Sequence, residues 1–297
     1  MKFLITGATG FIGNHLVTDL LNNQHEVYVF TRRPTVAKQH FDKAHIITDL
    51  TELSDDTKLD VIINLAGSNI AGFWWTKQRK QDLVNSRVKT TQKIVSLVNR
   101  LITKPKLIIN ASAVGWYGTI SGEQITEESL HAAGFTHELC QQWEDAILTL
   151  KNITKVHIIR LGVVLGRQGG MFKPLWLSSQ LAFGAIIGSG QQIFSWIHIK
   201  DVIQAINFLI EQQLPTTVFN LTAPTLTTQK HFITSLSKRL HRPVWLHLPA
   251  WLIKISLGEM GEELLLNGSK IYPKNLLDHG FKFKFPLLED ALEDLLK

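Results

Sequence analysis

Residues 1–30 read MKFLITGATGFIGNHLVTDLLNNQHEVYVF. Phe3-Leu4-Ile5 is a short apolar run of the kind a fully buried strand carries. Gly7, Gly10 and Gly13 follow at G-x-x-G-x-x-G spacing, and Leu16, Val17, Leu20 and Leu21 then recur at helical intervals. A second apolar run, Val27 to Phe30, comes directly after. Strand, glycine turn, helix and strand make one βαβ unit. In such a unit one glycine permits the sharp turn. A second removes a Cβ so that backbone N–H groups reach a pyrophosphate, and a third lets the helix pack close to the strand. The helix N-terminus offers unpaired N–H groups and partial positive charge to phosphates. Glycines alone are common in turns, but here they stand between a strand and a helix, the context a nucleotide site requires.

The end of the second strand should select the cofactor. An NAD site usually places Asp or Glu about 20 residues beyond the glycine turn, on the ribose 2′-hydroxyl. This chain has Thr31-Arg32-Arg33-Pro34 there instead. Guanidinium groups pair bidentately with phosphate oxygens, so the expectation is NADP(H) in preference to NAD(H). The alternative is that both arginines are solvated surface charges.

The 297 residues are 44% hydrophobic and 19% charged, enough to bury a large core in one domain or two closely packed ones. No apolar run approaches the roughly 20 residues a membrane span needs. The N-terminal apolar residues belong to a strand, so a secretory signal is not expected. The single cysteine, Cys140, excludes an internal disulfide and a zinc cluster and fits a reducing cytoplasm. No metal site is expected. Net charge is +6, but the basic residues are scattered and carry no nucleic-acid motif. A basic surface also steers an anionic cofactor. The expected partner is a small-molecule substrate, with no nucleic acid and no membrane; a homodimer is the assembly considered.

Along the chain, Ala44 to Thr48 reads as a third strand ending at Asp49. Asp49 either accepts a hydrogen bond from the adenine amino group or caps a helix before Leu53. Leu59 to Leu65 is a buried strand followed by Ala66-Gly67, small enough for backbone to pass a flat ligand. Phe73, Trp74 and Trp75 either cover a ligand or anchor their loop to the core. A long helix is expected over 80–101 and a buried strand over Lys106 to Ala111. The latter ends at Ser112-Ala113-Val114-Gly115-Trp116-Tyr117-Gly118, where a Ser and a Tyr beyond a strand's carboxyl end are placed for chemistry. Val156 to Leu165 reads as one apolar strand, and helices are expected over 174–183, 228–240 and 251–257, continuing over 259–266, and after Pro286. Asp201 reads as a helix N-terminal acid and His198 as a hydrogen-bonded structural histidine more than a substrate contact.

The segments GATGFIG, DVIINLAG and SAVGWYG, in this order, resemble the short-chain dehydrogenase/reductase superfamily, in its extended branch, the NAD-dependent epimerase/dehydratase family. NLAGSNIAGFWWTKQRKQDLVNSRVKTT, ELCQQWE, RLGVVLG and FSWIHIKDV resemble its atypical subfamily of epimerase family proteins, also described as sugar-nucleotide-epimerase-like and cell-division-inhibitor-like. The likeness runs over almost the whole chain. It implies an α/β fold with a Rossmann-type doubly wound parallel sheet and a smaller C-terminal α+β substrate lobe. The dinucleotide-binding domain would span 1–165 with a return segment near 194–221, and the substrate lobe 166–193 and 222–297. The resemblance implies cofactor contacts at Gly7, Gly10, Phe11, Ile12 and Gly13, with Thr9 of the same turn. Further contacts fall at Thr31 and Arg32, with Arg33 beside them, and at Leu65, Ala66 and Gly67. Asp49 and Leu50 match an adenine-contacting pair, Ala111 and Ser112 border the nicotinamide, and Leu161 lies near its ribose.

One departure bears on chemistry. Active superfamily members carry Y-x-x-x-K, where the Lys lowers the pKa of the acid/base Tyr and holds the ribose. Here the matching helix reads Glu138-Leu139-Cys140-Gln141-Gln142-Trp143-Glu144, with Cys140 in the Tyr slot and Glu144 in the Lys slot. Arg87 stands where a relay Asn is often found. A carboxylate disfavours a neighbouring thiolate. Ser112, Tyr117 and Cys140 are the catalytic candidates, with structural roles as their alternatives. The expected activity is oxidoreductase or epimerase chemistry on a carbonyl or hydroxyl substrate. The rival is an NADP(H)-binding regulator or sensor without turnover.

Overall fold

The computed structural model describes residues 1–72, 74–120, 122–212, 214 and 218–297. Phe73, one of the loop aromatics singled out above, lies outside the described residues.

The opening stretch folds into β1 (Lys2–Thr6), α1 (Phe11–Asn22) and β2 (Glu26–Phe30). Next come α2 (Pro34–His40), β3 (His45–Ile47), β4 (Val61–Asn64), α3 (Lys77–Arg100) and β5 (Leu107–Ala113). Then follow β6 (Gln124–Ile125), α4 (Phe135–Leu148) and β7 (Lys155–Leu161). The last strand of the main sheet, β12 (Val218–Leu221), arrives after a long excursion. The sheet has seven parallel strands in the order β12-β7-β5-β4-β1-β2-β3.

Each strand's alternating side chains feed a different core. Phe3 and Ile5 join Leu16, Val17 and Val29 under α1, whereas Leu4 joins Ile62, Ile94, Leu97 and Ile108 under α3. Both faces are covered by helices, which is why the strands read as continuous apolar runs. Full burial of each such side chain stabilises the fold by about 1.5–3 kcal/mol.

The excursion comprises β8 (Val163–Gly166), β9 (Gly169–Gly170), α5 (Phe172–Gln180), β10 (Ala185–Ile187), β11 (Trp196–His198) and α6 (Ile199–Glu211). After β12 come α7 (Gln229–Arg239), β13 (Leu246–Leu248), α8 (Ala250–Gly261), β14 (Lys270–Ile271), α9 (Lys274–Asp278) and α10 (Leu288–Leu296). A separate core of Phe172, Trp196, Phe232, Phe285 and Leu292 holds the smaller lobe. Its strands pair as β11-β8-β9 and as β10-β13.

Several expectations change in detail. The long helix begins at Lys77, not residue 80, because Thr76 caps it by accepting from the Arg79 N–H. The run Val156 to Leu165 is two strands, not one. At Gly162 the chain passes so close to the Ser195 carbonyl that a Cβ would lie 2.6 Å from its oxygen. β7 stays in the main sheet and β8 leaves for the smaller one. The helix expected over 251–257 ends where Gly258, with φ of +56 and ψ of −139, is not helical, and the continuation expected from Glu259 closes in a wide turn over Glu262–Leu266. Asp201 stands in the first turn of α6 as expected, with His198 as the cap. Its buried carboxylate also accepts the backbone N–H groups of Lys284 (2.7 Å) and Phe285 (3.0 Å), tying the C-terminal segment to α6. Leu276 and Phe281 then pack into the main core, so the last segment serves both lobes.

Candidate functional site

The strand order reverses between β1 and β4, and in open parallel sheets ligands bind in the crevice beyond the carboxyl ends at such a point. A cavity of about 920 Å³ opens there. Its floor is Gly7, Thr9 and Gly10 after β1, and Leu65, Ala66 and Gly67 after β4. One end is closed by Thr31, Arg32 and Arg33 after β2.

The glycine turn has no room for side chains. Gly7 has φ +71, and a Cβ on it would lie 2.5 Å from the Leu65 carbonyl oxygen. A Cβ on Gly13 would lie 2.3 Å from the Gly7 oxygen, so the start of α1 rests directly on the turn. Gly10 stands at the N-cap without a side-chain cap, which leaves the first-turn N–H groups of α1 without intrahelical acceptors. Of the turn residues expected to touch cofactor, Phe11 directs its ring away. A Cβ at Gly166 would meet that ring at 2.3 Å, so Phe11 and Ile12 bring only backbone to the turn, and Gly13 is buried behind it.

Beneath the floor is a polar cluster fully inside the protein. Thr6 Oγ1 donates to Asn64 Oδ1 (2.6 Å), and Asn64 Nδ2 donates to Asn110 Oδ1 (2.6 Å) and Thr91 Oγ1 (2.9 Å). These bonds lock the ends of β1, β4 and β5 against α3 and so fix the Leu65-Ala66-Gly67 backbone. At the other end Arg33 reaches back across the cavity mouth and donates to Thr9 Oγ1 at 2.8 Å.

One wall was not foreseen. Asp82, Asn85, Ser86, Lys89 and Lys93 of α3 face the cavity. Their spacing is helical, on a face that flanks the Leu83, Ile94 and Leu97 stripe, so the polar stripe was present in the sequence once the apolar stripe was drawn. Lys93 Nζ stands 3.8 Å from Asp49 Oδ2 and 5.7 Å from the centre of the Phe30 ring.

Other expected contacts do not line this cavity. Asp49 caps a short turn over Leu50–Glu52: its Oδ1 accepts from the Thr51 N–H (2.9 Å), and Glu52 accepts from the Asp49 N–H (2.8 Å). The Thr51 N–H and hydroxyl hold its carboxyl below the usual aspartate range. Of the two readings of Asp49, its side chain performs the capping one. Leu50 is buried in the core, Ala111 is buried within β5, and Leu161 ends β7 opposite Ala113.

The catalytic candidates form a second, interior arrangement. Glu144 and Arg160 make a two-point ion pair, with Nε to Oε1 at 3.0 Å and Nη2 to Oε2 at 2.8 Å. Ser112 donates its hydroxyl to Glu144 Oε1 at 2.6 Å. The Arg160 guanidinium lies 3.5 Å from the centre of the Trp116 ring and 4.9 Å from that of Tyr117. Tyr117 is fully buried and donates its hydroxyl to Asn220 Oδ1 at 2.8 Å; burial raises its pKa. The Cys140 thiol points at the Ala113 carbonyl and is pushed up to about 11, first by burial and then by the Glu144 charge. Arg87, in the relay slot, donates to the Leu83 and Ser68 carbonyls, and burial lowers its pKa. His198 is buried as well, its Nδ1 accepting from the Lys200 N–H. Among the described residues no cluster of His, Cys, Asp or Glu has the makings of a metal site.

Sheet order, crevice and glycine turn define a Rossmann-type dinucleotide fold. Residues 3–222 match the NAD dependent epimerase/dehydratase family, and residues 248–295 match a domain of unknown function, DUF1731. The chain belongs to the NAD dependent epimerase/dehydratase family, within the extended short-chain dehydrogenases/reductases. It is 34% identical over 304 residues to the chloroplastic epimerase family protein SDR39U1 homolog of Arabidopsis thaliana, covering 100% of this chain and 87% of that one. An epimerase family protein of Staphylococcus aureus is 34% identical over 302 residues, covering 100% and 99%. The crystal structure of human epimerase family protein SDR39U1 with NADPH superposes with a TM-score of 0.90 at 30% identity, covering 99% of each chain.

Proposed function

We propose that this protein binds NADP(H) in preference to NAD(H) and acts as an oxidoreductase or epimerase on a carbonyl or hydroxyl substrate, with an altered acid/base site. The observation that carries the cofactor preference is the pair Arg32 and Arg33 at the end of β2, where an NAD site would offer a carboxylate. The NADPH held by the human relative supports the same reading. In it, the first-turn N–H groups of α1 take the pyrophosphate. Arg32 and Arg33 take the 2′-phosphate, and Leu65 to Gly67 pass along the ligand. The bound nicotinamide supplies hydride transfer. Cys140 and Tyr117 are interior and burial raises the pKa of both, so the chain's own contribution is binding and orientation. The lone buried thiol suits a reducing cytoplasm.

The Glu144–Arg160 pair favours a second reading, a sensor that binds NADP(H) without turnover. It occupies the Lys slot with a fixed structural contact. One experiment separates the readings. NADPH and NADH are titrated against the wild type, Arg32→Ala and Arg33→Ala, and NADPH oxidation is then followed with a panel of carbonyl compounds. Tight NADPH binding that either substitution weakens at least tenfold, with NADH unchanged, supports the preference; equal binding of both cofactors sinks it. Oxidation with any carbonyl favours the oxidoreductase; an epimerase regenerates its cofactor, so hydride transfer from 4-deuterated NADPH into substrate without net oxidation favours the epimerase, and neither signal across the panel favours the sensor.

A further inference from the structure

Two stretches that build much of the smaller lobe carry a one-sided charge. No acidic residue lies between Asp145 and Asp201, and none between Glu211 and Glu259. Those two stretches build β8 to β11, α5, α7, β13 and most of α8, and they expose Lys173, Lys238, Arg239, Arg242 and Lys254.

The same stretches expose large apolar side chains. Leu181, Phe183, Trp245, Trp251 and Ile255 are 58–77% exposed, and Leu252 is 37% exposed. They cluster. Phe183 precedes β10 and Trp245 precedes β13, and the two strands pair in parallel with Ala185 opposite Leu246, so both rings flank one entry to the small sheet. Leu181 follows α5 at the same place, where Arg242 Nε donates to the Gln180 carbonyl at 2.9 Å. α8 starts immediately beyond β13, after Pro249, and carries Trp251, Leu252 and Ile255. Only Ile253, Met260 and Gly261 of α8 are buried. A helix so apolar, with most of its length in solvent, has a partner outside this chain's own core.

We propose that this face docks on an anionic lipid bilayer. Tryptophan and phenylalanine rings favour the headgroup boundary, Leu and Ile insert beneath it, and surrounding cations meet anionic headgroups. The expectation of no membrane partner rested on the lack of a spanning segment. Among the described residues no helix is long and apolar enough to cross a membrane, and a face lying on a bilayer needs none. Charge decides against a second copy as the occupant. In a two-fold contact the same patch meets itself, so Lys173 and Arg242 would face their own equivalents. An anionic surface is the complementary one. Lys254 already pairs with Glu262 at 2.8 Å, whereas the partner of Arg242 is an uncharged carbonyl, which leaves its charge for the headgroups.

The test is flotation of the full chain with vesicles of phosphatidylcholine alone and of phosphatidylcholine with phosphatidylserine, together with tryptophan emission. The protein should float with the anionic vesicles only, with blue-shifted emission, and detach as salt is raised. Arg242→Gln and Lys173→Gln should each lower partitioning about fivefold. Trp251→Ser with Ile255→Glu should abolish flotation while far-ultraviolet circular dichroism and thermal midpoint show the chain still folded. No flotation with anionic vesicles, or equal flotation with both kinds, overturns the proposal. So does a lipid-free dimer that Ile255→Glu converts to monomer, because the face would then belong to a second copy.

Discussion

Glu144 on α4 and Arg160 on β7 hold each other by two parallel hydrogen bonds in the interior, with side chains 5% and 4% exposed. Sixteen positions apart in sequence, they meet because β7 returns beside β5 and α4 packs across both. Such a pair contributes little net stability relative to a well-packed apolar pair, but removing one partner strands the other. Glu144→Gln and Arg160→Met should each destabilise the fold by about 3–5 kcal/mol in urea denaturation, and the two together by much less than the sum. Additive losses would show that the two groups act independently. The pair also explains why the family's Tyr and Lys cannot simply be put back. Cys140→Tyr with Glu144→Lys would set an ammonium against the Arg160 guanidinium inside the protein, and this double variant should be less stable than Glu144→Gln.

Two glycines in the same backbone region separate strain from collision. Gly7 (φ +71) and Gly280 (φ +84) both adopt the left-handed conformation, but a Cβ on Gly280 meets nothing within 4 Å, whereas on Gly7 it meets the Leu65 carbonyl. Gly280→Ala should cost about 1–2 kcal/mol. Gly7→Ala should cost more and also weaken NADPH binding, since β4 and the Leu65-Ala66-Gly67 wall would have to shift. Equal stability losses with unchanged cofactor affinity would show that the turn adapts without moving that wall.

The parts of the site that were legible in the sequence are the local ones. Gly7-Gly10-Gly13 and Thr31-Arg32-Arg33 each do their work within a few residues of a strand end, so spacing alone placed them at the crevice. The Asn64 cluster and the Glu144–Arg160 pair join distant segments, and nothing in either segment read singly announces its partner. Cys140 could be read from sequence as a thiol beside a carboxylate. That its burial outweighs that carboxylate in raising the pKa required the packing of α4 on β5. Gly162 looked like one more residue in an apolar run, and only the approach of Ser195 from another strand makes it a break.

The α3 stripe yields a prediction of its own. Lys89 and Lys93 face the cavity from the wall opposite the glycine turn, and both are exposed. Exposed charge pairs are worth up to about 1 kcal/mol and are screened by salt. Lys89→Gln and Lys93→Gln should therefore each weaken NADPH binding by less than about fivefold at low ionic strength, with the difference vanishing at high salt. A salt-independent loss measured by titration calorimetry would mean that the lysines shape the cavity instead of supplying charge.

Cys140 gives a direct check on the interior position of the acid/base slot. It is the single cysteine, 2% exposed, with its thiol pushed up to about 11. A thiolate-seeking reagent should leave the native protein unlabelled at neutral pH and label one thiol once the chain is denatured. Fast labelling of the native protein, slowed by bound NADPH, would instead put Cys140 in the cofactor cleft and revive it as a catalytic group.

His198 should make the fold acid-sensitive. It is 1% exposed, and its Nδ1 accepts from the Lys200 N–H at 3.1 Å, which leaves the proton on Nε2, 3.3 Å from Asp294 Oδ2. Burial lowers its pKa to about 4, with the Asp294 carboxylate opposing the shift. Unfolded, the imidazole titrates near 6.5. Between those values the unfolded chain binds a proton that the folded chain refuses, so stability falls as pH falls. The contribution is fully present above about 6.5 and is lost as the pH drops towards about 4, amounting to about 3 kcal/mol across the window. His198→Asn keeps a side-chain acceptor at the start of α6 but does not titrate. Urea midpoints taken at intervals from neutral pH to pH 4 should therefore fall more steeply for the wild type than for His198→Asn. Parallel curves would mean that His198 has the same pKa folded and unfolded, with Asp294 cancelling the effect of burial, and a shallower fall for the wild type would mean an imidazolium paired with Asp294.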